Sequence, residues 1–433
     1  HLAKQRLKPQ YLQAREIYRK IMNATPPGRV LHRVFHRIKD AIKTSLLPCS
    51  MFEDMGFQYM GPVDGHDVKT LTRLLDYASK VNGPVLLHVK TIKGKGYPPA
   101  EKNPDAFHGI GPFHKETGAL ITSKTAETFS SRFGHDLTEL AKQDQRICAI
   151  TAAMTSGTGL AVFSKAFPDR FFDVGIAEEH AVTMAAGMAK QGLIPVFAVY
   201  STFFQRSYDM LMHDIAIDHI HAVFGIDRAG LVGDDGETHH GLFDLGFLQT
   251  IPGITVLCPA SLDELSDMLE RAVHRMDGPV AVRYPRGGEN FYSENHSDAP
   301  DYLLKDGTDL TIVTFGTLTG NCLAVADRLQ QEGISAQVLK LNQLVPLPTE
   351  LALDCLSKTK RLLVAEECIT QGSPGQGILA AAAQSGLTLE GVAVCSCGKD
   401  FVPHGTIPQL RSLCGLDIDS LYKKAKEVME HGR

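Results

Sequence analysis

The 433-residue sequence has no apolar run of transmembrane length, which excludes a helical membrane span. It has no strong excess of either charge. Forty-four Lys and Arg stand against 49 Asp and Glu, a net charge of −5, which favours solubility and gives no reason to expect nucleic acid as a partner. It has no cysteine framework. Nine cysteines, an odd number, are widely spaced in a large chain, which predicts a reducing cytoplasm rather than disulfides. The one tight pair, Cys395 and Cys397, sits in the apolar run Val392–Cys397 and has no second pair at zinc-ligand spacing, so a buried strand is expected there. No short-period repeat of the solenoid type is present.

The sequence also opens without Met, on His1, and its first 45 residues hold eleven Lys or Arg against two acids. No apolar core follows the basic part, as a secretory signal requires. Leu31, Val34, Phe35, Ile38 and Ile42 keep helical spacing among the basic residues. A membrane-surface or nucleic-acid helix is one reading. A solvated basic helix packed by one face is the other and is preferred, in a chain expected to begin in mid-protein.

Apolar residues at 43% and charged residues at 21% are ordinary for a globular protein, and the length predicts two or three domains. Three α/β blocks follow one another, at 1–124, 125–301 and 302–433. In the first, a turn at Gly61–Asp67 leads to a helix from Val68 and a buried parallel strand at Val85–Val89. In the second, the runs 147–150, 196–199, 222–226, 254–257 and 280–284 alternate with helical stretches near 177–191, 203–217 and 261–276. That alternation predicts a parallel sheet covered by helices. The third repeats the pattern with runs at 310–314, 337–341, 362–365 and 392–394, and carries few clustered titratable groups.

Open α/β sheets bind ligands at the carboxyl ends of their strands. Glu178 and Glu179 end one apolar run and open an Ala- and Met-rich helix. They either complement the helix dipole, or Glu178 enters a cleft and bonds a ligand nitrogen. Tyr200–Arg206, Asp227–Gly230, Gly233–Gly241 and Arg283–Gly287 each follow a predicted strand. Their tyrosine and arginines suit a phosphate, since Arg gives bidentate contacts to its oxygens; solvated loop charge is the alternative for any one alone. His239, with Asp235 in the same Gly-rich loop, suits proton transfer at neutral pH. Thr91-Ile-Lys-Gly-Lys-Gly-Tyr97 offers glycines for close backbone approach and lysines for an anion, or else a solvated turn.

Taken together, Gly61-Pro-Val-Asp-Gly-His-Asp67, Lys93-Gly-Lys-Gly-Tyr97, Ile176-Ala-Glu178 with His180, Tyr200-Ser-Thr-Phe203, Asp227-Arg-Ala-Gly230, Asp235-Gly with Thr238-His239, and Arg283-Tyr-Pro-Arg-Gly287 resemble the 1-deoxy-D-xylulose-5-phosphate synthase family, in order and spacing. The Arg-Tyr-Pro-Arg-Gly and Asp-Arg-Ala-Gly segments separate that family from ordinary transketolases. The resemblance implies three consecutive parallel-sheet α/β domains of transketolase type, the first incomplete here. It implies a cytoplasmic homodimer that uses thiamine diphosphate and Mg2+ to condense pyruvate with glyceraldehyde 3-phosphate, with loss of CO2, as the entry to non-mevalonate isoprenoid synthesis. Glu178 then resembles the glutamate on the aminopyrimidine ring, and Phe203 the ring stacked on it. Tyr97, Lys93 and Arg206 match cofactor-contacting positions. Tyr200, Arg228 and Arg286 resemble the aldehyde-phosphate group, and His108, His239 and Asp235 the polar residues near the reacting carbonyls. The family's Gly-Asp-Gly…Asn magnesium motif has no match in this sequence. The expectation is therefore a truncated or split enzyme, metal ligands on a separate N-terminal piece, and a chain inactive by itself; a non-catalytic fragment is the alternative.

Overall fold

The computed structural model describes Ile17 and residues 50–104, 106–121 and 126–430. The expected basic helix around residues 31–42 lies outside them. The chain divides into two compact units, His1–Thr125 and Ala126–Arg433.

In the first unit, β1 (Gln58–Asp64) and β2 (Val85–Lys90) pair in parallel, joined through α1 (Val68–Ala78). The Asp67 carboxylate starts α1 by accepting from the Thr70 backbone N–H and hydroxyl, a regular N-cap. The turn expected at Gly61–Asp67 is shortened: Gly61–Asp64 belong to β1, and the chain turns at Gly65 and His66. The register slips between Met60 and Val63. Gly61 sits there at φ 133°, where a Cβ would lie 2.5 Å from the His88 carbonyl oxygen, so only glycine lets β2 approach. Strand β2 is half-buried rather than buried, since its sheet holds two strands among the described residues.

The second unit holds two sheets. The first runs β12-β7-β8-β6-β5-β3-β4, with β3 (Ile147–Thr151), β4 (Phe171–Asp173), β5 (Ile194–Tyr200), β6 (Ala222–Asp227), β7 (Thr255–Leu257), β8 (Pro279–Arg283) and β12 (Gln343–Val345). All its pairings are parallel except β12 with β7. Central strands β3, β6 and β8 are buried at every position, which is why they read as unbroken apolar runs rather than alternation. One face is covered by α2 (Phe129–Gln143) and α4 (Leu262–His274), through Phe129, Phe133, Leu137, Leu265 and Leu269. The other receives α3 (Glu178–Lys190), whose Ala181, Val182 and Ala185 let it lie close. The predicted helix at 203–217 is broken into short turns that end in a π-helical segment, Leu211–Ala216.

The second sheet runs β14-β13-β10-β11-β9, built from β9 (Asp301–Lys305), β10 (Leu310–Phe315), β11 (Ala336–Leu341), β13 (Arg361–Ala365) and β14 (Gly391–Cys395). Strand β9 is its antiparallel edge. The buried strand expected at Val392–Cys397 is corrected: Val392–Cys395 fall in β14, an edge strand in which only Gly391 is buried, and Cys397 lies beyond it, buried. Strand β12 thus comes from the block at 302–433 in sequence but completes the sheet of the block before it. Among the described residues no helix is long and apolar enough to cross a membrane.

Candidate cofactor and substrate site

Strands β3, β4, β5, β6 and β8 are mutually parallel, so their carboxyl ends share one edge of the sheet. Beyond β4, Asp173 accepts from the Ala153 N–H at 2.8 Å and the Thr155 hydroxyl at 3.0 Å, tying the β3 and β4 loops together. Gly175 follows at φ 72°, and the chain then turns into α3. Its first residue, Glu178, is only 2% exposed. A carboxylate so far from water needs a partner, and Arg206 supplies one: its Nη1 donates to Glu178 Oε2 at 3.0 Å. The Arg206 guanidinium lies 6.0 Å from the centre of the Phe203 ring. Phe203 in turn meets the His239 ring edge-on at 5.4 Å and stacks against Tyr200 at 5.9 Å. The Thr202 hydroxyl donates to the Thr238 carbonyl at 3.1 Å, which holds the His239 loop against the turn after β5.

Arg228 continues this line. Its guanidinium sits 3.9 Å over the Tyr200 ring, within cation–π range. Its backbone is left-handed, φ 59°, uncommon for a residue other than glycine and a feature that clusters at functional sites. Nη1 donates to the Gly157 carbonyl at 2.6 Å and to Asp227 Oδ1 at 2.8 Å. Burial pushes the Asp227 carboxyl above its usual range, against the pull of Arg228 and Ser130. Burial likewise opposes the Arg228 charge, but Asp227, Tyr200 and Tyr284 together outweigh it and the guanidinium pKa rises. Burial also raises the Tyr200 hydroxyl, with Arg228 and Arg286 opposing and Asp227 and Asp235 adding to the rise. A side chain at Gly157 would displace the Tyr200 ring, since a Cβ on it would lie 1.7 Å from the Tyr200 hydroxyl. Arg228 Nε and the Tyr284 hydroxyl are buried with no hydrogen-bond partner, which marks polar space beside the arginine.

Arg286 donates through Nη1 to Asp235 Oδ2 at 2.7 Å and to the Val232 carbonyl at 3.1 Å. The two arginines of Arg283-Tyr-Pro-Arg286 therefore part company. Arg283 is buried on Asp244 and the Gly241 and Glu367 carbonyls, a framework position, while Arg286 is partly exposed in the loop.

The second unit thus brings together Glu178, Arg206, Phe203, Tyr200, His239, Arg228, Asp235 and Arg286. Lys93, Tyr97 and His108 lie in the first unit. Gly94 and Gly96 have positive φ, and a Cβ on Gly94 would lie 2.6 Å from that of Ala100, so the lysine loop folds tightly. Lys93 and His108 are exposed. Tyr97 packs against Phe107 and Phe113 and spends its hydroxyl on the Lys115 carbonyl at 2.8 Å. Sequence reasoning gave no role to Asp227 or Gly157. The Gly157-Thr-Gly159 segment just beyond a predicted strand was a legible signal for the second. Among the described residues no group of three or more His, Cys, Asp or Glu is placed to hold a metal ion.

The family model for 1-deoxy-D-xylulose-5-phosphate synthase matches residues 1–91, that for the transketolase pyrimidine-binding domain 127–288, and that for the transketolase C-terminal domain 302–421. The 1-deoxy-D-xylulose-5-phosphate synthase of Heliobacterium modesticaldum is 42% identical over 444 residues, covering 100% of this chain and 68% of its own length. That of Clostridium kluyveri is 43% identical over 438 residues, covering 99% and 69%. The chain belongs to the 1-deoxy-D-xylulose-5-phosphate synthase family. This is a transketolase-like family that uses thiamine diphosphate. Among solved structures, a split-gene transketolase described as an inactive beta4 tetramer matches with a TM-score of 0.64 and 26% identity, over 71% of this chain and 100% of its own. The α/β architecture is accordingly of transketolase type, as the synthase motifs led us to expect.

Proposed function

We propose that this chain carries the pyrimidine- and aldehyde-binding side of a synthase that joins pyruvate to glyceraldehyde 3-phosphate, giving 1-deoxy-D-xylulose 5-phosphate and CO2. The observation that carries the reading is the unbroken line from Glu178 through Arg206, Phe203, His239 and Tyr200 to Arg228. It runs from a buried acid suited to a heterocycle to cations suited to a phosphate.

The residues fit the pyrimidine end of thiamine diphosphate. Glu178 is a buried carboxylate beside an aromatic face, so it can hold a proton on a ring nitrogen while Phe203 covers the ring. The cofactor supplies the nucleophilic carbon and the electron sink. Lys93 and Tyr97 are assigned to it from the first unit on the family pattern. The described residues do not fit magnesium: no three of their His, Cys, Asp or Glu side chains are placed together to hold it.

At the other end, Tyr200, Arg228 and Arg286 receive the aldehyde's phosphate. Each arginine spends Nη1 on the protein, and a guanidinium has five N–H donors, so both keep donors for an anion. His239, beside Phe203 and Tyr200, and Asp235, paired with Arg286, are assigned to the proton that the aldehyde oxygen gains as the carbon–carbon bond forms. His108 is assigned to the same carbonyl region on the family pattern.

The test is steady-state kinetics of Arg228→Ala and Arg286→Ala in the full-length enzyme. Charge-assisted bonds to phosphate contribute about 1.5–3 kcal/mol each. The KM for glyceraldehyde 3-phosphate should therefore rise on the order of ten- to a hundredfold, with the KM for pyruvate little changed. Equal losses for both substrates would count against a phosphate site at these loops.

A further inference from the structure

His240, next to the assigned His239, faces the other way. It is buried, and both ring nitrogens are engaged. The Val232 N–H donates to Nδ1 at 3.1 Å. An atom that accepts cannot carry the proton, so the neutral ring is protonated on Nε2. Nε2 lies 3.1 Å from the Pro403 carbonyl oxygen and therefore donates to it. Val232 also accepts from Arg286 through its own carbonyl oxygen, one peptide unit further along the chain. Hydrogen bonds thus link Pro403 to His240 and His240 to the Val232 N–H, and across the Val232 Cα the Val232 carbonyl continues to Arg286 and on to Asp235.

Pro403 belongs to a segment that follows β14, the far edge of the other sheet, and that segment is seated on the substrate loop at further points. Gly405 N–H donates to the Gly233 carbonyl at 3.5 Å. Phe401 lies against Phe243, ring centres 5.9 Å apart. Gly236, at φ 72°, has the His404 Cβ where its own would reach, 3.1 Å away. The loop that carries Asp235 and His239 is therefore backed by residues 401–405.

We infer that His240 is a positioning residue for the aldehyde-phosphate site: it fixes the Val232 backbone between the 401–405 segment and Arg286, so that Arg286 meets the substrate already oriented. The inference rests on the phosphate reading of Arg286 given above. Its particular consequence concerns donor and acceptor pattern rather than ring chemistry. A glutamine can accept from Val232 through its oxygen and donate to Pro403 through its amide nitrogen, the same pattern as this tautomer. A leucine of similar size can do neither, and leaves the Val232 N–H and the Pro403 carbonyl without partners.

The experiment compares His240→Leu, His240→Gln, Arg286→Ala and the double variant His240→Leu/Arg286→Ala in the full-length enzyme. Each substrate is varied in turn, and amide hydrogen exchange is followed over residues 229–241. His240→Leu should raise the aldehyde KM roughly tenfold while the pyruvate KM stays within about twofold, and should speed exchange at Val232. His240→Gln should stay within about threefold of wild type in both KM values and keep Val232 protected. In the Arg286→Ala background, His240→Leu should add less than about twofold, because residues in one network do not act additively. A wild-type aldehyde KM in His240→Leu overturns the inference. So does equal impairment of the Gln and Leu variants, or multiplication of the two single effects. His240→Met replaces the leucine variant if the latter does not fold; failure of both, with His240→Gln folded, assigns the residue to folding and also overturns it. If Arg286→Ala leaves the aldehyde KM unchanged, the phosphate reading falls instead, and exchange at Val232 alone reports whether His240 holds the peptide.

Discussion

Glu178 and Glu366 are both buried carboxyl groups at strand ends, with opposite surroundings. Glu178 has Arg206 on Oε2. A glutamine there keeps the shape and one hydrogen bond but cannot balance a proton held on a ring nitrogen. Glu178→Gln in the full-length enzyme should therefore lower turnover by about 10²–10⁴-fold with an unchanged melting temperature; near wild-type turnover would remove Glu178 from the cofactor. Glu366 accepts from the Gly375 N–H at 3.0 Å, and its Oε1 has no partner. Burial lifts its pKa to about 7, against the hydrogen bonds from Ser373 and Gly375. The folded chain then holds this proton more tightly than the unfolded one. Between pH 4.5 and 7 stability falls as pH rises, by roughly 3 kcal/mol in all, and is level above. Glu366→Gln should match wild type in urea unfolding at pH 4.5 and exceed it at pH 8; a constant difference across that range would assign the pH dependence elsewhere. Glu178 was legible because it stood at a strand–helix junction beside recognisable motifs. Glu366 was not, since Ala365-Glu-Glu-Cys368 gives no sign that one acid is sealed under Gly375 while the next, Glu367, pairs with Arg411.

At the scale of elements, the sequence told most where burial was most complete. Five apolar runs in the second block became parallel strands because both faces of that sheet are covered. Strand β12 escaped notice, since it finds its partner in a different block. The break of the 203–217 helix into a π-helical end was equally hidden, because its apolar spacing is helical either way. One contact between elements was beyond any local pattern. Lys340 on β11 and Glu264 in the first turn of α4 are both 0% exposed and 2.7 Å apart. Glu264 also accepts from the Ala260 and His296 N–H groups and the Tyr292 hydroxyl, while Lys340 also donates to Asn342. Burial pushes the Lys340 pKa down, and Glu264 opposes that shift. Glu264→Ala leaves an unpaired buried ammonium and frees two backbone donors, so it should cost about 3–5 kcal/mol, read as a lower urea midpoint at constant slope. A loss under about 1 kcal/mol would mean that water reaches the lysine.

At the scale of the molecule, the two sheets of the second unit share one of their cores. One cluster contains Phe197, Phe224 and Val256 from the first sheet together with Val313, Leu339 and Val364 from the second. A second, under the second sheet, draws in Leu231 and Leu242 from the substrate loop region. Polar ties cross the same boundary, among them β12 on β7, Lys340 on Glu264, and Arg283 on the Glu367 carbonyl. Cutting the chain near residue 300 would strip the edge strand from one sheet, leave Glu264 and Arg283 short of partners, and expose the shared apolar face to water. Residues 126–430 should therefore unfold in urea as one transition, with fluorescence and circular dichroism coincident. Residues 126–300 alone should show no cooperative transition and should aggregate. A soluble 126–300 piece with its own sharp transition would show that the first sheet is self-sufficient. The backing of the substrate loop by residues 401–405 would then be an accessory to a finished site rather than part of the fold that makes it.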